Sequence, residues 1–208
     1  MFEPGTLLLF TTASLLLALA PGPDNIFVLT QSAIKGRQVG LVVTLGLCTG
    51  LIVHTSAVAL GVAAVFHASA LAFNLLKFIG AAYLLYLAWG AFRAGVSSLT
   101  VAENREKRLS RFYLRGIVMN ITNPKVSIFF LAFLPQFTSP DKGALPLQLF
   151  VLGGLFILST LLVFGMFSLM AGLIGSWFQR STYAQQLLNK TAAVIFAGLA
   201  LKLATSSR

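Results

Sequence analysis

Six blocks of predominantly apolar residues run along this sequence, with polar links between them. Each block reaches the length of about 20 residues that an α-helix needs to cross the hydrocarbon core of a bilayer. The pattern predicts six membrane-spanning helices, called spans 1 to 6, at roughly residues 5–31, 39–63, 69–92, 113–138, 145–173 and 186–205. We therefore expect an all-α membrane protein in which residues 1–208 form a single domain.

The first and last spans depart from the simple pattern. Residues 6–20 resemble a secretory signal peptide, but Glu3 precedes them without any Lys or Arg, and the apolar run resumes after Pro21. We interpret them as a retained first helix. Span 6 carries Lys190 and Lys202, whose long side chains can reach a membrane interface while their stems stay among lipid.

Composition supports the membrane assignment. Hydrophobic residues make up 57% of the chain and charged residues only 10%, and 18 residues are Phe. A soluble domain needs far more charge on its surface. Cys48 is the one cysteine in the sequence, so an internal disulfide, a CxxC redox pair and a cluster of thiolate metal ligands are all excluded.

The net charge of +10 is unevenly distributed. Six of the fifteen Lys and Arg residues lie between Arg93 and Arg115, most of them in the connection 93–112. Such a concentration is typical of a cytoplasmic loop that faces anionic headgroups, and it argues against a nucleic-acid partner. Residues 97–112 are polar enough to lie on the membrane surface, with or without helical structure.

The links between spans set the predicted orientation. Basic residues occur in the links after spans 1, 3 and 5, whereas the N-terminal tail and the link after span 2 contain none. The link after span 4 contains only Lys142. Because basic loops stay in the cytoplasm, we expect the odd-numbered links to be cytoplasmic and both termini to face outward.

Two spans are interrupted at corresponding positions. Span 1 contains Pro21-Gly22-Pro23 and span 4 contains Asn123-Pro124-Lys125, and the two breaks are 101 residues apart, about half the chain. We predict two repeats of three helices each, at about residues 1–98 and 105–208, which cross the membrane in opposite senses. Broken helices at matching positions of inverted repeats indicate the substrate site of a secondary transporter.

A charged residue directly follows each break: Asp24 after Pro23, and Lys125 after Pro124. A charge near the bilayer centre costs at least ~2.5–3.5 kcal/mol. Either the two charges pair to hold the bundle together, or they meet a substrate of complementary charge. We favour the substrate, because a static pair needs no broken helices. An amino acid offers an ammonium group to Asp24 and a carboxylate to Lys125, and the N-termini of the half-helices would assist the carboxylate.

Other polar residues in the spans are further candidates. Asn25, Asn120 and Asn123 flank the breaks, where their amides can bind either a ligand or the freed backbone. His54 lies in the middle of span 2. Its imidazole could relay protons or bind the substrate, and the alternative is a hydrogen bond to a neighbouring helix. Asp24 is also a candidate carrier of a transported proton.

Small residues permit close contact between helices. Gly46 and Gly50 form a small-xxx-small pattern in span 2, and Gly153 lies in span 5. Such patterns bring helices together within one protomer or between two. A homodimer is therefore one expectation that the pattern allows.

Two stretches resemble the lysine-exporter (LysE-type) translocator superfamily, within it the branch that exports homoserine, threonine and leucine. They are APGPDNIFVLTQSAIKGRQVGL from residue 20 and NITNPKVSIFFLAFLPQF from residue 120. The resemblance implies an amino acid exporter of the bacterial inner membrane, driven by the proton gradient, with neither enzymatic activity nor a cofactor. The family's two proline motifs correspond to Pro21, Gly22, Pro23 and Asp24, and to Asn123, Pro124 and Lys125.

Three alternatives fit the sequence less well. A metal or cation exporter needs a cluster of ligands in the membrane, and the spans offer little beyond Asp24, His54 and Cys48. An intramembrane enzyme would show a motif such as HExxH or GxSxG, and neither occurs. A scaffold that transports nothing would use Asp24 and Lys125 as a structural pair. We therefore predict proton-coupled export of small neutral amino acids, with protons, the amino acid and the bilayer as partners.

Overall fold

The computed structural model describes residues 2–20, 22–68, 108–180 and 182–205, and, between them, residues 78, 81, 82, 85, 86, 88–90, 92 and 93. These parts of the chain are helical and contain no strand, which confirms the all-α class. Seven α-helices have described bounds: α1 Pro4–Leu19, α2 Pro23–Lys35, α3 Arg37–Ala68, α4 Leu109–Thr122, α5 Pro124–Ile128, α6 Leu145–Arg180 and α7 Thr182–Thr205.

Four of the predicted spans correspond to helical segments long and apolar enough to cross a membrane. Spans 2 and 5 are continuous, as Arg37–Gly61 within α3 and Leu145–Met170 within α6. Spans 1 and 4 are bent pairs, formed by α1 with α2 and by α4 with the segment Pro124–Phe137. Helix α7 covers span 6, and the described residues of span 3 are helical. The six-span inverted repeat remains a prediction, because most of span 3 and residues 94–107 lie outside the described residues.

The first break separates α1 from α2 by a bend of 59°. Gly22 precedes α2 in an extended conformation, and Pro23 occupies the first helical turn, where its missing N–H costs nothing. Pro21, the other proline of this predicted break, lies outside the described residues. Gly36 directly follows the last residue of α2, and its φ of 90° favours glycine. The predicted interruption of span 1 is confirmed.

The second break bends the chain by 52° between α4 and α5. Asn123 is extended, and its side-chain oxygen accepts the Lys125 backbone N–H at 3.0 Å, so Asn123 caps α5. Helix α5 continues into a π-helical turn at Phe129–Phe133 and a 3₁₀ turn at Leu134–Phe137. The predicted interruption of span 4 is also confirmed.

Small residues let α3 approach its neighbours. A Cβ atom added at Gly46 would collide with the carbonyl oxygen of Tyr113, and one at Gly50 would collide with Asn120, both on α4. A Cβ at Gly153 of α6 would collide with Thr55 of α3. The small-xxx-small pattern is thus used for packing within the protomer, and dimerisation stays a prediction without support from this pattern.

Two buried apolar clusters flank the breaks. The first includes an aromatic group in which Phe129 lies 4.8 Å from Phe133 and 5.2 Å from Phe156, measured between ring centroids. The second contains Val28 of α2, Val43 of α3 and further apolar residues of α4 and α6. Residues of both clusters also line a cavity that contains polar groups of the two breaks, so these groups lie between two apolar regions.

Candidate functional site

A small cavity, partly open to its surroundings, lies between the two breaks. Its polar lining comes from three helices besides α6, with Asp24 and Asn25 on α2, Asn120 on α4 and Lys125 on α5. Leu17 and Ala18 on α1 and Leu51 on α3 contribute apolar surface, together with Val126, Phe156 and Phe164. The structure therefore brings both predicted charged residues and two of the predicted amides to one cavity.

Lys125 joins the second break to the first. Its ammonium nitrogen donates to the carbonyl oxygen of Ala20 at 2.8 Å and to that of Leu17 at 3.0 Å. The residue four positions after Leu17 is a proline, which has no N–H to offer, so this carbonyl has no helical partner. The end of α1 also carries the negative end of the helix dipole, which favours a cation there. Lys125 thus stabilises the end of α1.

Gly22 gives the Lys125 side chain its room. A Cβ atom at position 22 would lie 3.1 Å from the Lys125 ammonium nitrogen and 3.7 Å from Cε of the same side chain. Because that nitrogen is already held by two carbonyl oxygens, it has little freedom to move aside. The backbone at Gly22 is extended, a conformation that any residue can adopt. Glycine is therefore favoured here by the close approach of Lys125 and not by the backbone conformation.

Asp24 and Asn25 lie in the first turn of α2, and each is only 4% exposed. The Asn25 amide nitrogen donates to the carbonyl oxygen of Ala18, another group at the end of α1. The Asn120 amide nitrogen lies 3.5 Å from Oδ2 of Asp24. Among the described residues, Asp24 and Lys125 form no direct ion pair. The two charged groups thus line the same cavity without direct contact.

Three buried oxygens in the cavity wall have no hydrogen-bond partner among the described residues. They are Oδ1 of Asp24, Oδ1 of Asn25 and Oδ1 of Asn120. The two amides are oriented by their nitrogens, which face the Ala18 carbonyl and the Asp24 carboxylate. A buried acceptor left unsatisfied costs about 1–3 kcal/mol. Three such acceptors, one of them charged, suit a ligand that carries several N–H donors and a positive charge.

The remaining predicted residues lie beside the cavity and are absent from its described lining. Asn123 uses its oxygen to cap α5, and its buried amide nitrogen interacts with the Asp24 carboxylate without reaching standard hydrogen-bond geometry in the described part of the chain. His54 places Nε2 3.2 Å from the carbonyl oxygen of Asn120, and its ring lies 5.6 Å from that of Phe130. His54 thus bonds to a neighbouring helix, one of the roles considered for it. Pro23 and Pro124 begin α2 and α5.

Sequence reasoning missed two components of the site. One is the pair of α1 carbonyl groups that hold Lys125, because backbone groups carry no residue-specific signal. The other is the contribution of α6, whose Phe156, Thr160 and Phe164 line the cavity. These three follow one another at intervals of four, so they share one face of α6. Thr160, one of three hydroxyl residues in span 5, was the available signal.

Comparison with known proteins agrees with this architecture. The family model of the LysE type translocators matches residues 15–207. A homoserine/homoserine lactone efflux protein of Salmonella typhimurium is 33% identical over 189 residues, which cover 90% of each chain. An uncharacterized membrane protein of Vibrio cholerae is 30% identical over 200 residues, or 96% of each chain. No solved structure matches the chain.

The match includes both helix breaks and every polar residue of the cavity, since all of them lie within residues 15–207. The Salmonella and Vibrio relatives are matched over nearly their whole length. This multi-pass membrane protein belongs to the family of LysE type translocators.

Proposed function

We propose that the protein exports small neutral amino acids across the bacterial inner membrane in exchange for protons. The observation that carries the proposal is the group of unpartnered oxygens on Asp24, Asn25 and Asn120. An α-ammonium group has three N–H donors and one positive charge. It matches three acceptor oxygens, one of which belongs to the Asp24 carboxylate. Each hydrogen bond to it would be charge-assisted and therefore stronger than a bond between neutral groups.

The substrate carboxylate would bind next to Lys125. The Lys125 ammonium uses two of its three N–H groups on α1 carbonyls and keeps the third for a ligand. The N-terminus of α2 lies beside it without a side-chain cap, because the preceding residue is Gly22. An uncapped helix N-terminus attracts anions through its free N–H groups and its dipole. The two ends of an amino acid thus find complementary groups in one cavity.

Asp24 would couple export to protons. Its carboxyl group can bind an ammonium group when ionised or carry a proton, but it cannot do both at once. A proton that reaches Asp24 from outside would release the substrate there, and loss of that proton to the cytoplasm would allow the next substrate to bind. Mutually exclusive binding at one carboxylate is sufficient for antiport.

Homoserine is the first substrate to test, because it appears in the name of the Salmonella relative. The lactone in that name is equally informative. Homoserine lactone keeps the ammonium group but has no carboxylate, so it should need Asp24 but not the charge of Lys125. The two compounds separate the contributions of the two ends of the site.

We expect the orientation predicted from the sequence to apply to this transporter. The basic connection 93–112 would face the cytoplasm, and both termini would face outward. Cysteine labelling of termini and of residues 93–112 by an impermeant reagent in intact cells would measure this. Labelling of residues 93–112 from outside would contradict it.

The decisive experiment is efflux of radiolabelled homoserine, threonine, leucine and lysine from loaded cells. Wild type should accelerate the loss of at least one neutral amino acid, and Asp24→Asn should reduce that rate at least about 10-fold, since it removes the charge opposite the ammonium. Asp141→Asn is the matched control, because Asp141 is exposed in a link and its charge should not affect the efflux rate. Each protein is quantified in the membrane, so that rates are compared at equal expression.

Reconstitution into liposomes tests the coupling. Export driven by an imposed pH gradient should dissipate that gradient, measured with a pH-sensitive dye, in wild type but not in Asp24→Asn. Normal export by a well-expressed Asp24→Asn protein would refute the site. Absence of transport by wild type for every amino acid would refute the function and favour a scaffold.

A further inference from the structure

Most buried hydroxyl groups in the described helices are satisfied locally. The hydroxyls of six buried residues each donate to the backbone carbonyl four positions earlier: Ser14, Ser32, Thr44, Thr55, Ser159 and Ser168. This bond is the ordinary way for a helix in lipid to accommodate a hydroxyl. Two buried threonines, Thr30 and Thr160, make no such bond in the described part of the chain.

Only one of these two threonines faces the cavity. Thr160 on α6 is 4% exposed and lines the cavity together with Asp24 and Lys125, whereas Thr30 is absent from its described lining. The Thr160 hydroxyl therefore lies at the cavity without a hydrogen-bond partner among the described residues. The fully buried unpartnered atoms include the Thr30 hydroxyl oxygen and not that of Thr160, so the Thr160 hydroxyl is open to the cavity, where a polar ligand can reach it.

The surroundings of Thr160 are apolar. Phe156 and Phe164 lie one turn before and one turn after it on the same face of α6, and both are buried. Leu51 of α3 adds to the same lining. The charged groups are on α2 and α5, so the α6 face is left for the side chain of a bound amino acid. That face offers a single hydroxyl between two phenyl rings.

We propose that Thr160 determines substrate specificity by hydrogen bonding to an oxygen on the side chain of the substrate. The proposal rests on the proposed function, and it narrows the substrate class to amino acids with a short side chain that carries a hydroxyl group. The two phenyl rings limit the length of that side chain. An apolar isostere would fit the same space but leave the Thr160 hydroxyl unsatisfied, so it should be exported less well, by about 10-fold.

The test compares isosteric substrates. Homoserine and norvaline differ by a hydroxyl in place of a methyl group, and so do threonine and valine. Initial efflux rates of each pair are measured from loaded liposomes for wild type, Thr160→Val and Thr160→Ser. Thr160→Val has nearly the shape of threonine but no hydroxyl, whereas Thr160→Ser keeps the hydroxyl.

Wild type and Thr160→Ser should both prefer the hydroxylated substrate, and Thr160→Val should lose the preference while it still exports norvaline. The norvaline rate shows that Thr160→Val is folded and active. Thr30→Val is the matched control, because it removes the other unpartnered hydroxyl, and it should keep the preference.

Three outcomes would overturn the inference. The first is a Thr160→Val protein that still prefers the hydroxylated substrate. The second is a Thr160→Val protein that loses both substrates equally, which would mean that the residue serves packing or movement. The third is a wild type that exports both members of a pair equally well. In each case amino acid export itself stands, whereas a wild type that exports neither pair would refute the proposed function as well.

Discussion

Both helix breaks place a charged residue directly after a proline, but they are stabilised in different ways. At the second break, the side chain of Asn123 accepts the backbone N–H of Lys125, so the start of α5 is capped from within the break. At the first break, Gly22 offers no side chain to α2, and the carbonyls at the end of α1 are bonded by Lys125 from the other half of the chain. The first break therefore depends on the second.

The two breaks also differ in the polar groups that they leave for a ligand. The first break keeps an uncapped helix N-terminus and unpartnered oxygens on Asp24 and Asn25, whereas the second provides the cation that holds α1 in place. If this division holds, substitutions at the first break should affect transport more than stability, and substitutions at the second should affect stability as well.

The largest effect should come from Lys125→Met. It removes two charge-assisted hydrogen bonds to Leu17 and Ala20, and we expect the free energy of unfolding to fall by roughly 3 kcal/mol. Thermal unfolding of the purified protein in detergent measures this. Lys142→Met is the control, because Lys142 is exposed in a link and its loss should matter far less. An unfolding midpoint that Lys125→Met leaves unchanged would show that the first break does not need the second.

Gly22→Ala should reduce export about 10-fold while leaving most of the stability intact. The added methyl group would lie 3.1 Å from the Lys125 ammonium, which would have to shift by a few tenths of an ångström; such a shift keeps the bonds to the end of α1 but changes the position of the charge at the cavity wall. The measurement is homoserine efflux, together with the unfolding midpoint. Gly154→Ala adds the same methyl group on α6 where no atom lies within 4 Å, so it should export normally. Equal export by the two variants would contradict a role for close approach at Gly22.

Asn123→Ala should cost about 1 kcal/mol of stability, the usual value of a helix N-cap. The loss reflects the unsatisfied N–H of Lys125 at the start of α5. Asn123→Ser keeps an oxygen at this position and should retain most of the stability. If Asn123→Ala and Asn123→Ser unfold at the same temperature, the cap contributes nothing and the second break is not stabilised from within.

The smallest effect concerns the ion pair at the far ends of the two broken spans. Lys142 donates to Glu3 at 2.6 Å, and this hydrogen bond and its charge lower the pKa of the Glu3 carboxyl from its ordinary value of 4.5. Because the folded pKa is the lower one, the pair stabilises the protein above about pH 4.5 and loses its effect as the pH falls through the lowered pKa.

Glu3→Gln should therefore lower the unfolding midpoint by less than about 2 °C at pH 7, and the difference from wild type should disappear in acid. Unfolding scans of both proteins between pH 3 and pH 7 provide the test. If the difference in unfolding midpoint between Glu3→Gln and wild type grows as the pH falls, the pair does not stabilise the protein through the ionised Glu3 carboxyl.

Much of this arrangement could be predicted from the sequence, because prolines and charges in an apolar chain are conspicuous. The bends at Pro23 and Pro124 and the placement of Asp24 and Lys125 at one cavity follow from such signals. The partners of Lys125 could not be predicted, since they are backbone carbonyls and any residue supplies those. Thr160 was missed for a related reason: one hydroxyl in an apolar helix is usually satisfied by its own backbone, and only coordinates reveal the exception.

The π-helical turn at Phe129–Phe133 has a consequence for how this protein tolerates change. A π turn contains one residue more than an α turn, so it rotates everything after it by about 100° relative to a regular helix. Phe129, Phe130 and Phe133 are all buried in this arrangement. Deletion of a single residue here would restore an α-helix and turn the following side chains to a different face. Insertions and deletions should therefore be excluded from this turn even where substitutions are accepted.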